Sequence, residues 1–274
     1  MTPPVVVTHY TDPWSVWCWA IEPQLRRLRE RHGAAVQFQV RLGAILETPV
    51  PRDFPREEIA RMFAAARRQS GMPLDPEVVL KKNSGTTNRA GIAAKAAALV
   101  TPDLAAPYLR RLRYAALVEG LDIEELAVQE KLAAEVGLES AALREAIETE
   151  EATREFYADQ AEARVRGVTG FPTVTFRNAQ GTEIGVGGFQ PTEAFEAALA
   201  RAAGARFVET PPPDALDLIR RNPGLATAEI AEVLDELEDV ATDRLLSLER
   251  EGSVRKVEAA GGYFWHAAGP RNKG

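Results

Sequence analysis

Hydrophobic and polar positions change period several times along this chain. Val5 to Tyr10 is a short β-branched run with prolines before it and Thr11, Asp12 and Pro13 after it, which predicts a buried strand. From Ser15 to about His32 apolar residues recur at helical spacing, at Trp19, Ile21, Leu25 and Leu28, and Gly33 ends the stretch. Residues 35–43, AVQFQVRLG, alternate apolar and polar side chains and predict a second strand. A strand, a helix and a strand in this order build a parallel pair. From Pro55 to about Arg166 the composition turns to Ala, Leu, Arg and Glu, broken at SGMPLDP, TPDLAAP and EGLD. Helices are predicted there over roughly 56–69, 86–100, 103–119, 122–136 and 139–165. Strand chemistry returns in GVTGFPTVTFR, 167–177, and NAQG followed by TEIGVGG completes a β-hairpin. QPTEAFEAALARAAG then reads as a helix that Gln190 or Thr192 can cap and Gly204 ends.

The prolines of TPPPD, 210–214, form a stiff break before the last 60 residues. Beyond it the pattern predicts helices at 215–221, 227–236 and 241–251. An antiparallel ribbon follows, GSVRKVEAAGGYFWHA, turning at its Gly pair. Three short helices and a ribbon spell a winged-helix-like module. The predicted organisation is a domain over 1–206 with a helical insertion at about 55–166, a proline linker at 207–214 and a small domain over 215–274.

Charge narrows the partners. The chain carries a formal net charge of −7 over 274 residues, which opposes general affinity for nucleic acid or anionic membrane. From Asp214 to Gly274 there are 8 Lys and Arg against 12 Asp and Glu, a net charge of −4, so DNA is not the expected ligand of the tail. Its second helix, TAEIAEVLDELED, offers an acidic face suited to a basic protein partner or to self-association. No apolar run approaches the roughly 18 residues a membrane span needs, and MTPPVVVTHY lacks a basic, cleavable leader, so a cytoplasmic protein is expected. The single cysteine, Cys18, excludes an internal disulfide and fits a reducing compartment. His9, His32 and His266 lie far apart and make no zinc-type spacing, and no metal is expected.

The candidate chemistry sits in DPWSVWCW, 12–19, which holds three of the four tryptophans and the only cysteine. The order of elements, together with four segments, resembles the DsbA-like branch of the thioredoxin superfamily, in the cytosolic group that also resembles 2-hydroxychromene-2-carboxylate isomerase and kappa-class glutathione transferase. DPWSVWCWAIEP is similar to that family's active-site turn, and TTNRAGIAAKAAAL to a helix of its insertion. GVTGFPTV resembles its cis-proline loop, and GGFQPTEAFEAAL the start of its last helix. The resemblance covers about residues 4–204. It implies an α/β thioredoxin fold with an all-helical insertion, a cis bond before Pro172, and a ligand cleft between that loop and the helix start. In that cleft the backbone of Phe171 would pair with a peptide or with glutathione.

In a two-thiol site the first cysteine stands at the helix N-terminus, where free amides stabilise the thiolate. Here that position is Ser15, and Cys18 occupies the second position, so exchange between two thiols of one chain is excluded. Three readings remain open. Cys18 handles thiols through a mixed disulfide with glutathione or a protein client, making the chain a degenerate thiol-disulfide oxidoreductase. Alternatively Ser15 holds glutathione as its thiolate, as the resemblance to the isomerase and transferase implies, with glutathione a cosubstrate and no cofactor bound covalently. In the third, the site is chemically silent and the fold is a protein-binding adaptor. Ser15 also suits a simple helix cap, and Cys18 simple packing. Helical geometry separates Trp17 from Trp19 by about 200°, so Trp19 is expected inward, with Trp14 or Trp17 lining an apolar groove. His9 is expected to be a hydrogen-bonded core residue.

Overall fold

The computed structural model describes residues 5–33, 35–47, 56–78, 85–204 and 209–269. Strand β1 (Val5–Thr11) is followed by a short helix α1 (Val16–Ala20), α2 (Glu22–His32) and β2 (Val36–Leu42). The stretch expected as one helix from Ser15 to His32 is therefore two. Pro23 in the first turn of α2 has no N–H to return to Trp19, and the chain breaks at Ile21.

The helical block contains α3 (Arg56–Ser70), α4 (Asn88–Val100), α5 (Pro102–Leu117), α6 (Leu126–Glu135), α7 (Ser140–Glu148) and α8 (Glu151–Val165). The helix expected over 139–165 is split, because Glu150 takes a left-handed conformation with φ of 60°. A non-glycine residue there gives no advance signal in the sequence. The hairpin β3 (Thr173–Arg177) and β4 (Glu183–Gly187) and the helix α9 (Thr192–Ala203) complete the first unit. Its sheet has the order β2-β1-β3-β4, with β1 and β2 parallel and β3 antiparallel to both its neighbours. Val5, Val7, Leu25, Leu28, Phe176 and Phe195 form a core between this sheet and α2 with α9. A second core, around Trp19, Leu112 and Phe156, joins α1 to the helical block.

The last part contains α10 (Ala215–Arg221), β5 (Leu225–Ala226), α11 (Thr227–Leu234), α12 (Glu238–Arg250), β6 (Val254–Ala259) and β7 (Gly262–Ala267). Its three strands are ordered β5-β7-β6, and the two-residue β5 is too short for a periodic signal. The expected linker begins at residues outside the described set, but its later part is not a free spacer. Thr210 and Arg31 exchange bonds: the Thr210 amide donates to the Arg31 carbonyl at 3.0 Å, and Arg31 Nε donates to the Thr210 carbonyl at 2.7 Å.

Part of the acidic face expected to suit a basic partner is occupied within the chain. Helix α11 packs on α2, and its acidic groups meet arginines of the first unit. Arg110 grips Glu229 through both nitrogens at 2.9 and 2.7 Å, and Arg27 reaches Asp235 at 3.0 Å. Glu229 also accepts the Ala226 amide, so its buried carboxylate is fully used. The ribbon turn docks as well: Arg67 Nη2 donates to the Gly261 carbonyl at 2.9 Å, and Phe264 packs edge-on against Tyr114.

Candidate functional site

Strand register brings the two key segments together. Tyr10 pairs with Thr173, so the end of β1 that leads into DPWSVWCW lies beside the residue that follows Pro172. The Phe171–Pro172 peptide bond is cis. The Pro172 carbonyl accepts the Gly188 amide at 2.8 Å, and Phe189, next along, stacks obliquely on Trp17 with ring centroids 5.9 Å apart. Gly43, immediately after β2, faces the tip of the Phe171 ring: a Cβ there would sit 2.2 Å from Phe171 Cζ, so glycine leaves the room this aromatic takes at the strand end.

Asp12 fixes the turn. Its carboxylate accepts the amides of Trp14 at 2.6 Å and Ile45 at 2.7 Å and the Thr87 hydroxyl at 2.6 Å. One buried side chain thus ties the turn to the loop after β2 and to the start of α4. Burial pushes its pKa up to about 6, against the pull of those three donors.

Ser15 is the N-cap of α1. Its Oγ accepts the Cys18 amide at 3.2 Å, which satisfies one of the free donors of the helix start. The serine is 5% exposed and Cys18 is 0% exposed. Burial raises the Cys18 pKa, and the nearby Arg113 charge and the Ser15 and Thr11 hydroxyls offset this only in part. A reactive cysteine needs the opposite, an accessible thiol with a lowered pKa. Beneath the turn runs a buried polar chain. Arg113 donates to both Glu22 and the Thr11 hydroxyl. Burial opposes the Glu22 charge, but Arg113 and then Arg29 outweigh it and bring its pKa down to about 2.

The three tryptophans of the turn differ in exposure. Trp19 points inward, and its Nε1 donates to the Pro73 carbonyl at 2.9 Å. Trp14 does not line a groove: it is 5% exposed and its Nε1 donates to Glu124 at 2.9 Å, so the Pro13–Trp14 step folds against the insertion. Trp17 is half-buried at the surface beside Phe189. His9 is buried, but its Nε2 has no hydrogen-bond partner among the described residues, contrary to the expected satisfied core histidine. Burial and Arg113 lower its pKa to about 3, so it is neutral. Glu124, Arg113 and Gly43 shape the site yet had no signal in the sequence, because each comes from a distant element with no motif of its own.

Two large apolar side chains are exposed nearby in the chain: Ile45, 47% exposed beside the Asp12 turn, and Val165, 88% exposed at the end of α8, where Arg164 reaches Glu47 at 3.1 Å. No hydrogen bond forms at the Phe171 backbone among the described residues. Away from the turn, His32, Glu196 and Glu209 place ligand atoms within 4.8 Å of one another. Arg27 already binds Glu196 at 2.9 Å, and Arg27 and Arg31 both bind Glu209, so these carboxylates are charge-compensated by arginine. No helix among the described residues is long and apolar enough to cross a membrane.

Comparison with known proteins agrees with this geometry. A family profile described as thioredoxin matches residues 9–197. The chain is 26% identical over 266 residues to the ClpXP adapter protein SpxH of Shouchella clausii, covering 96% of this chain and 88% of that protein, the C-terminal module included. A putative protein disulfide isomerase from Nitrosomonas europaea superposes with a TM-score of 0.64 at 21% identity, over 73% of this chain and 97% of that one. The cytosolic disulfide reductase DsbM from Pseudomonas aeruginosa superposes with a TM-score of 0.57 at 22% identity, over 73% and 95%.

Proposed function

Because the chain belongs to the thioredoxin family, we propose that it keeps that fold's ligand cleft without its thiol chemistry, and works as a protein-binding adaptor of the ClpXP kind. The observation that carries this reading is the full burial of Cys18 under a serine whose oxygen is engaged as a helix cap. A thiol with a raised pKa and no exposure is a poor nucleophile at neutral pH. Ser15, 5% exposed, leaves little room to seat a glutathione thiolate, which weighs against the isomerase-like and transferase-like reading.

What remains at the turn suits a protein ligand. The Phe171 backbone is open for strand-like pairing, and the Trp17–Phe189 pair beside the cis loop supplies apolar contact. The relatives named as ClpXP adapters span nearly the whole chain, and the C-terminal module is built into the first unit through α2 and α5, which favours one rigid scaffold. A cytoplasmic setting goes with this reading.

The test is protein turnover in cells lacking the gene. A defined set of ClpXP-degraded proteins should accumulate, and a Cys18→Ala chain should restore their turnover while a Trp17→Asp chain should not. An unchanged proteome, or loss of rescue with Cys18→Ala, would overturn the proposal.

A further inference from the structure

We propose that the open edge of β4 is a second docking site, one that takes an extended segment of a partner protein bearing an apolar side chain and a carboxylate. The site lies along the outer edge of the sheet and does not depend on the cleft at Phe171.

The hydrogen-bond parity of the hairpin sets which groups face outward. The Asn178 amide donates to the Thr182 carbonyl at 3.1 Å and the Gly188 amide to Pro172 at 2.8 Å, with Val174 opposite Val186 and Phe176 opposite Ile184. In an antiparallel ladder bonded and non-bonded pairs alternate, so Ile184 and Val186 turn their backbone groups toward β3. Glu183, Gly185 and Gly187 therefore turn theirs to the open edge. β4 is the last strand of its sheet, so these groups meet no further strand.

Exposed edges are normally guarded by charged side chains, proline or bulges. Here Glu183 guards only the first position, where Arg166 pairs with it at 2.7 Å. The next two outward positions are glycines, both exposed, and a Cβ at either would meet nothing within 4 Å. Among the described residues the Gly187 carbonyl receives only a long 3.4 Å contact from the Gln190 side chain, which an incoming amide would displace. Bare backbone on an edge strand admits another strand closely.

Alongside runs a groove of about 330 Å³ between β4 and α9. Ile184 and Val186 form one wall, Ala194, Ala197 and Ala198 the other, and Arg201 stands at one end. The alanines leave room for an apolar side chain of the added strand. Arg201 has no ion pair among the described residues, so it supplies the charge that selects a carboxylate on the added strand.

The full-length protein, deuterated and ¹⁵N-labelled, is titrated with the peptide acetyl-TVTVE bearing a free C-terminus. Saturable shifts at the Gly185 and Gly187 amides are expected. Arg201→Glu, an exposed substitution with no internal partner to lose, should weaken binding about fivefold and reverse the preference toward a lysine-ended peptide. Gly185→Pro should remove the outward donor without touching the β3 ladder and abolish the shifts. The proposal falls if these amides stay still at millimolar peptide or if Arg201→Glu binds unchanged. It falls equally if the amides shift with protein concentration alone, which would assign the edge to a second copy of the chain.

Discussion

The Cys18 amide donates to Ser15 Oγ across 3.2 Å, so the hydroxyl that replaces a first cysteine also closes the lid over the second residue of the motif. The helix start is satisfied by an uncharged group, and the sulfur below it has neither exposure nor a lowered pKa.

The Arg113–Glu22 pair under the turn is buried, and removing one partner should strand the other. Arg113→Met is expected to cost about 3 kcal/mol at pH 7 by denaturant unfolding. The sign with pH follows from Glu22, whose folded pKa is depressed to about 2. Its contribution is full above the ordinary glutamate range and is lost as pH falls toward 2. The deficit of the variant should therefore shrink below about pH 4.5. A deficit that is constant with pH would show that the pair does not act electrostatically.

Glu229 ties the C-terminal module to the first unit through Arg110. Glu229→Ala leaves Arg110 without its buried partner and should cost about 3 kcal/mol. Because α11 packs on α2 and Phe264 on Tyr114, calorimetry of the intact chain should give one transition that moves down as a whole. Two transitions, with only one shifted, would mean the module folds by itself.

Gly91 and Gly43 test packing at two depths. A Cβ on Gly91 would sit 2.3 Å from the fully buried Phe156 ring. Alanine is favoured over glycine in a helix by about 1 kcal/mol, but overpacking a core costs about 1–3 kcal/mol. Overpacking should win, and Gly91→Ala is expected to destabilise by about 1 kcal/mol. Gly43→Ala meets the half-buried Phe171 ring, which can swing away. Its stability loss should be smaller, while the Phe171 ring resonances should shift; unshifted resonances would mean that Gly43 does not seat that ring.

Much of the fold was legible because period carries it. The β-branched run at Val5, the alternation after Ala35 and the hairpin around NAQG each appear as strands where expected. The breaks at Ile21 and Glu150 were not legible. The first rests on a proline two positions on, inside a pattern that stays helical, and the second on a left-handed glutamate. DPWSVWCW and GFP, whose residue types are tied to turn chemistry, lie side by side as their resemblance implied. The burial of Trp14 was not legible, because its partner Glu124 lies 110 residues away. That Glu229 and Asp235 of the acidic stripe meet arginines within the chain was not legible for a similar reason: those arginines stand on α2 and α5, and nothing local says that they face it.

The central claim is that the lone sulfur is structural. The most direct measurement is the alkylation rate of Cys18 by iodoacetamide on the folded protein from pH 6 to 9, repeated in denaturant. No reaction is expected until the chain unfolds, and ordinary thiol reactivity afterwards. Rapid labelling of the folded protein with a midpoint below the free-thiol value of about 8.5 would contradict it and return the site to thiol chemistry.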